Sequence, residues 1–212
     1  PIDRPSSDPA PSRLATGIGE FDRVLGGGVV AGSVVLVGGD PGIGKSTLML
    51  QGAAALARSG VRTLYVTSEE SAEQTRLRFA RLSHDQPASD LYVLADTNLA
   101  RIVEQARRTQ PRILVIDSIQ MIYKADLDAS PGSIAQLRRC CTELVYLEKA
   151  SGVAILLVGH VSKDGALAGP RNAPRGGGPG QAWQQDPALA HAVAAGRDDQ
   201  QPLRSAEADE LA

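Results

Sequence analysis

Aromatic side chains make up only 3% of this 212-residue chain, so Leu, Val, Ile and Ala must fill any buried core. Cysteine is scarcer still. Cys140 and Cys141 are the only two and they are adjacent, which supplies neither a disulfide framework nor a metal cluster. They are expected as small apolar residues on a helix. No apolar run approaches the ~18 residues that cross a bilayer, and the first residues lack the basic-then-apolar pattern of a signal peptide. An excess of one charge is missing too. With 22 basic and 24 acidic side chains the formal net charge is −2, which excludes a polycation coating nucleic acid or membrane through bulk charge and leaves only local patches. No membrane partner is expected, and a reducing, cytoplasmic setting is. The chain opens on Pro1 rather than Met, as a piece of something longer would.

What is present divides into three parts. Residues 1–13, with Pro1, Pro5, Pro9 and Pro11 among Ser and Asp, read as a flexible lead-in. Residues 171–212 hold one Val, no Ile, Phe or Tyr, and the run Pro174-Arg175-Gly176-Gly177-Gly178-Pro179-Gly180. That composition buries too little apolar surface to offset chain entropy, so a low-complexity, disordered tail is expected. Residues 14–170 form the body. Within it, Ser33–Gly38, Arg62–Ser68, Leu91–Leu94, Arg112–Asp117 and Val153–Gly159 are short β-branched runs, apolar on both faces, as in a parallel sheet covered by helices. Helical patterns separate them. Asn98 can cap a helix with Leu99, Ile102, Val103 and Ala106 on one stripe, and Ser133 begins another carrying Ile134, Leu137, Cys141, Leu144 and Val145. Alternation of this kind means an α/β fold with right-handed crossovers.

Gly39-Asp40-Pro41-Gly42-Ile43-Gly44-Lys45-Ser46 satisfies G-x-x-x-x-G-K-[ST] in full, between an apolar strand and a helix. Glycines let the backbone wrap a phosphate with its N–H groups inward, and the helix N-terminus adds positive potential. Lys45 is expected to reach the β- and γ-phosphates, Ser46 to ligate Mg²⁺ and Thr47 to donate to the α-phosphate. The run Ile113-Leu114-Val115-Ile116-Asp117 ends a buried strand on a carboxylate, at the sheet edge where open α/β sheets bind ligands. Asp117 suits the metal; alternatively it caps the following turn with Ser118. Glu69 and Glu70 end another strand, and either suits a water-positioning base or a solvated charge at a helix start. His160 ends the last strand, as a γ-phosphate sensor or as a hydrogen-bonded surface residue. The arginines at 76, 78 and 81, 107 and 108, and 138 and 139 lack interleaved aromatics for stacking on bases, and read as solvated helix faces.

Together these segments resemble a known family. Thr16-Gly17-Ile18-Gly19-Glu20-Phe21-Asp22, the phosphate loop, Ser68-Glu69-Glu70-Ser71, Val115-Ile116-Asp117-Ser118-Ile119-Gln120, Ser130-Pro131-Gly132-Ser133 and Gly159-His160-Val161-Ser162-Lys163-Asp164-Gly165 are similar to the RecA-like recombination ATPases and, more narrowly, to the bacterial RadA (Sms) family. The resemblance implies a RecA-like P-loop core, a mostly parallel sheet flanked by helices. It also implies ATP and Mg²⁺ as ligands, DNA-dependent ATP hydrolysis in recombinational repair, single-stranded or branched DNA as partner, and a homo-oligomeric ring. It assigns the base to Glu69 rather than Glu70 and the sensor to His160. The family's four-cysteine zinc finger, KNRFG motif and Lon-protease-like domain are not written in these residues, so a C-terminally incomplete core is expected. The alternative function is a nucleotide-binding switch or remnant that turns nothing over.

Overall fold

The computed structural model describes residues 12–83 and 86–160. The expectations for residues 1–11, 161–170 and the 171–212 tail lie outside these. The described chain opens with a two-stranded antiparallel ribbon, β1 (Arg13–Leu14) against β2 (Val29–Val30), with helix α1 (Gly19–Val24) between them. Arg13, counted with the lead-in from its sequence, pairs with Val30. Inside this turn the Asp22 carboxylate accepts hydrogen bonds from the Thr16 N–H and hydroxyl at 2.8 and 2.7 Å and from the Gly17 N–H at 3.0 Å. The Thr-Gly…Asp spacing is thus a local clasp, and Phe21 from it enters the core.

Then strand and helix alternate: β3 (Val34–Gly39), α2 (Lys45–Arg58), β4 (Thr63–Thr67), α3 (Ala72–Ser83), β5 (Leu91–Ala95), α4 (Leu99–Thr109), β6 (Ile113–Asp117), a 3₁₀ turn (Ile119–Met121), α5 (Ile134–Ser151) and β7 (Ala154–His160). All five apolar runs are strands of one parallel sheet in the order β3-β7-β6-β4-β5. Because side chains alternate along a strand, β6 sends Leu114 and Ile116 to one face and Ile113 and Val115 to the other. The first face packs on α4 and α5 through Ile102, Leu137 and Leu144; the second packs on α2 and α1 through Met49, Leu50 and Phe21. Both helices expected from their caps start as read: the side chain of Asn98 accepts from Ala100 N–H and that of Ser133 from Gln136 N–H. One strand differs from expectation. Leu91–Leu94 read as apolar on both faces, yet β5 lies at one edge of the described sheet, beside β4, and Tyr92 is exposed.

Packing makes two outcomes testable. Gly28 has φ +129°, and a Cβ there would lie 2.6 Å from the Leu14 carbonyl oxygen. Gly28→Ala is expected to destabilise the fold by more than about 1 kcal/mol, measured by urea unfolding. On α5, burial pushes the Cys140 thiol up to about 11 and Cys141 up to about 12. With roughly one thiol in a thousand or fewer ionised at pH 8, both should resist iodoacetamide in the native chain and react within minutes in urea, as read by mass spectrometry.

Candidate functional site

Parallel register brings four strand ends to one edge. Gly39 of β3 lies opposite His160 of β7, Asp117 of β6 opposite Val158 of β7, and Thr67 of β4 opposite Asp117. Residues from opposite ends of the body thereby become neighbours. Each group expected at the site from the sequence stands on or just beyond this edge.

The loop after β3 is built by its glycines. Gly42 and Gly44 have φ +81° and +99°, conformations that side chains rarely adopt. Gly44 is the N-cap residue of α2; it offers no side-chain cap, and the first turn holds no acid. The N–H groups at that start therefore lack a side-chain acceptor, at the positive end of the helix dipole. That arrangement fits an anion. Asp40, Pro41, Gly42 and Ile43 form the exposed crest of the loop, and Ser46 and Thr47 follow Lys45 on the first turn of α2.

Lys45 is 7% exposed. Its ammonium donates to the carbonyls of Gly39 and Asp40, each at 2.8 Å, and lies 3.3 Å from Nδ1 of His160. Burial lowers its pKa below the ordinary lysine value, against the opposing pull of the Asp117, Asp40 and Glu69 carboxylates. Donation from Lys45 makes Nδ1 of His160 an acceptor, which puts the ring proton on Nε2. Nε2 in turn stands 3.8 Å from Oε1 of Glu69.

Asp117 is 8% exposed and accepts a 2.5 Å hydrogen bond from the Tyr65 hydroxyl at Oδ2. The same hydroxyl lies 3.5 Å from the Ser46 carbonyl. Burial, with the neighbouring Asp117 charge, raises the Tyr65 pKa far above the ordinary tyrosine value, so the phenol stays a donor. The two adjacent glutamates separate cleanly. Glu69 accepts a 2.6 Å hydrogen bond from the Ser118 hydroxyl and faces His160. Glu70 turns to α3, where it meets Arg78 at 3.2 Å and Thr75 at 3.4 Å. Arg78, read as part of a solvated helix face, is half-buried by this pairing, whereas Arg76 stays exposed beside Glu73.

Four contributors have no role at the site assigned by the sequence, although Ser68, Ser118 and Gln120 lie in the family-like segments. Tyr65 and Ser118 escape a sequence reading because their partners sit on a neighbouring strand or the segment after it. Ser68 locks the same corner: its hydroxyl donates to the Ser118 carbonyl at 3.1 Å and accepts from the Ser118 N–H at 2.7 Å. Gln120 donates to the His160 carbonyl at 3.1 Å, while its Oε1 is buried without a partner among the described residues. A hydroxyl on Ser46 and a carboxylate on Asp117 are hard oxygen donors. No group of three or more His, Cys, Asp or Glu able to cage a metal occurs among the described residues. That donor set suits a cation sharing its shell with phosphate and water, as Mg²⁺ does.

Comparison with known proteins agrees with this geometry. The family model described as "AAA domain" matches residues 9–166. The chain is 50% identical over 159 residues to the DNA repair protein RadA of Bacillus subtilis, 55% to that of Pseudomonas aeruginosa and 52% to that of Escherichia coli. Each alignment covers 75% of this chain and 34% of the relative, so the chain spans about a third of the length of these curated relatives. Among solved structures, one described as an ATPase domain superposes with a TM-score of 0.58 at 16% identity, covering 75% of this chain and 67% of that one. That likeness shows the fold. The phosphate loop, the shared carboxyl edge and the family match converge: this chain belongs to the AAA-domain family, with a RecA-like fold, and over that domain it is similar to RadA proteins.

Proposed function

We propose that the chain binds ATP with Mg²⁺ at this edge and hydrolyses it, as the nucleotide-binding core of a DNA-dependent repair ATPase of the RadA type. The observation that carries the proposal is the chain of contacts from Lys45 to His160 to Glu69 to Ser118, beside Asp117. It gathers a cation, a base and a metal-ligating carboxylate around one uncapped helix start.

The roles divide by chemistry. The loop Gly39, Asp40, Pro41, Gly42, Ile43 and Gly44 wraps the phosphates with its backbone N–H groups, Pro41 contributing shape but no N–H. Lys45 exchanges its two carbonyl acceptors for β- and γ-phosphate oxygens and stabilises charge that grows as the terminal phosphoryl leaves. Thr47 donates to the α-phosphate. Ser46 and Asp117 hold Mg²⁺, which when bound neutralises charge on the phosphate oxygens. Glu69 orients the attacking water and takes its proton, and Ser118 steadies it. Glu70, occupied by Arg78, is the weaker candidate. His160, between Lys45 and Glu69, is placed to register whether a γ-phosphate has drawn Lys45 away.

Single-stranded or branched DNA as partner, assembly into a homo-oligomeric ring, action on recombination intermediates and a cytoplasmic location belong to this proposal; the relatives' names support a role in DNA repair. No helix among the described residues is long and apolar enough to cross a membrane. Phosphate release with and without single-stranded DNA tests the activity. Binding without release would favour the alternative, a nucleotide-binding switch.

Two substitutions test the assignments. Lys45→Ala should weaken binding of a fluorescent ATP analogue about 10- to 100-fold, the worth of a charge-assisted contact. Glu69→Gln should leave that affinity near the parent value and slow turnover about 10²- to 10⁴-fold, with a smaller effect from Glu70→Gln. An undiminished rate in Glu69→Gln would move the base elsewhere.

A further inference from the structure

Asp117 is fixed by something the phosphate loop and strand motif do not contain. Tyr65 lies on β4 and Asp117 on β6, adjacent strands in parallel register. Tyr65 stands directly opposite Val115, and Asp117 is two residues further along. Side chains two apart share a face, so Tyr65 and Asp117 both point to the α2 side, at the diagonal separation a long side chain spans. The ring is fully buried among Met49, Val115 and their neighbours. Its hydroxyl is the polar end of an otherwise apolar insertion, and it delivers that hydroxyl to Asp117 Oδ2 at 2.5 Å and within 3.5 Å of the Ser46 carbonyl. From the other side, Arg78 Nη2 stands 3.4 Å from the phenol oxygen.

We propose that Tyr65 is the positioning residue of the cation site: its phenol donates its one proton to Asp117 Oδ2 and so fixes the carboxylate at the end of β6, leaving the second oxygen to a divalent cation. Ligating carboxylates that lack such an outer partner lose orientation, commonly at a cost of about ten- to a hundredfold in metal affinity. A phenylalanine ring at position 65 would fill the same space. The hydroxyl is what the packing does not require.

The inference rests on Asp117 being the metal ligand, and the test separates the two. The measurement is the Mg²⁺ concentration that gives half of the cation-dependent gain in affinity for a fluorescent, non-hydrolysable ATP analogue. Tyr65→Phe keeps the ring and removes the hydroxyl. It is expected to fold with a somewhat lower melting temperature, since it strips a buried carboxylate of a donor, to bind the analogue without Mg²⁺ as the parent does, and to need about tenfold more Mg²⁺. Asp117→Asn should raise the requirement further, and adding Tyr65→Phe to it should change nothing more. A parent-like Mg²⁺ requirement in Tyr65→Phe, with Asp117→Asn impaired, overturns the role of Tyr65 alone. An unimpaired Asp117→Asn overturns both, since no carboxylate would then need positioning. A full extra loss in the double variant also overturns it. Should Tyr65→Phe not fold, 3-fluorotyrosine in the parent chain gives the answer by ¹⁹F NMR, with Tyr92, Tyr123 and Tyr146 assigned by their own Phe variants. The remaining signal should move when Mg²⁺ joins the bound analogue and stay fixed when Mg²⁺ is added alone; no movement in either case overturns the proposal.

Discussion

The site depends on the in-register pairing of four parallel strands, because nothing else in the chain brings residue 39 to residue 160 or residue 67 to residue 117. These four strands, β3 at the other edge included, are largely buried on both faces, and apolar side chains fill both layers. A slip by one residue would turn every side chain of that strand to the opposite layer. For β6 it would also carry Asp117 away from the α2 side, where Tyr65 and the phosphate loop stand. Packing in the interior and chemistry at the edge are therefore set by one alignment. The corner between Ser68 and Ser118, with reciprocal bonds between hydroxyl and backbone, fastens that alignment where the strands end.

Much of this can be read before any coordinates. The phosphate loop is a contiguous pattern whose glycines, lysine and serine are dictated by local backbone and charge, so sequence suffices. The five strands announce themselves as short doubly apolar runs, and Asn98 and Ser133 mark helix starts because capping is local chemistry. Family membership is legible from the same contiguous segments. What cannot be read depends on lateral neighbours. Glu69 and Glu70 are adjacent acids that their own residues leave undivided, and only the resemblance favours Glu69. In the fold, Arg78 and Thr75 on α3, with Ser118 after β6 and His160 on β7, tell them apart. Tyr65 is one more β-forming residue until the order of the sheet places β6 beside β4. The exposure of Tyr92 has the same origin, since no residue of β5 declares that it lies at an edge.

The polar groups along the carboxyl edge are connected rather than isolated. Tyr65 serves Asp117, Ser118 serves Glu69, His160 stands between Glu69 and Lys45, and Gln120 braces the backbone of His160. Connected groups of this kind restrain one another's orientation more than separate pairs would. Displacing Lys45 from the Gly39 and Asp40 carbonyls thus alters the partner of His160, and through it the surroundings of Glu69.

A helix whose first turn has no side-chain cap, as in α2, is at its weakest there. A tetrahedral anion seated on those amides supplies what Asn98 and Ser133 supply to α4 and α5. A nucleotide bound there would then also act as a folding ligand: at a hundred times its dissociation constant it would add about 2.7 kcal/mol to the native state. The protein's lifetime against proteolysis would then rise and fall with the concentration of that ligand.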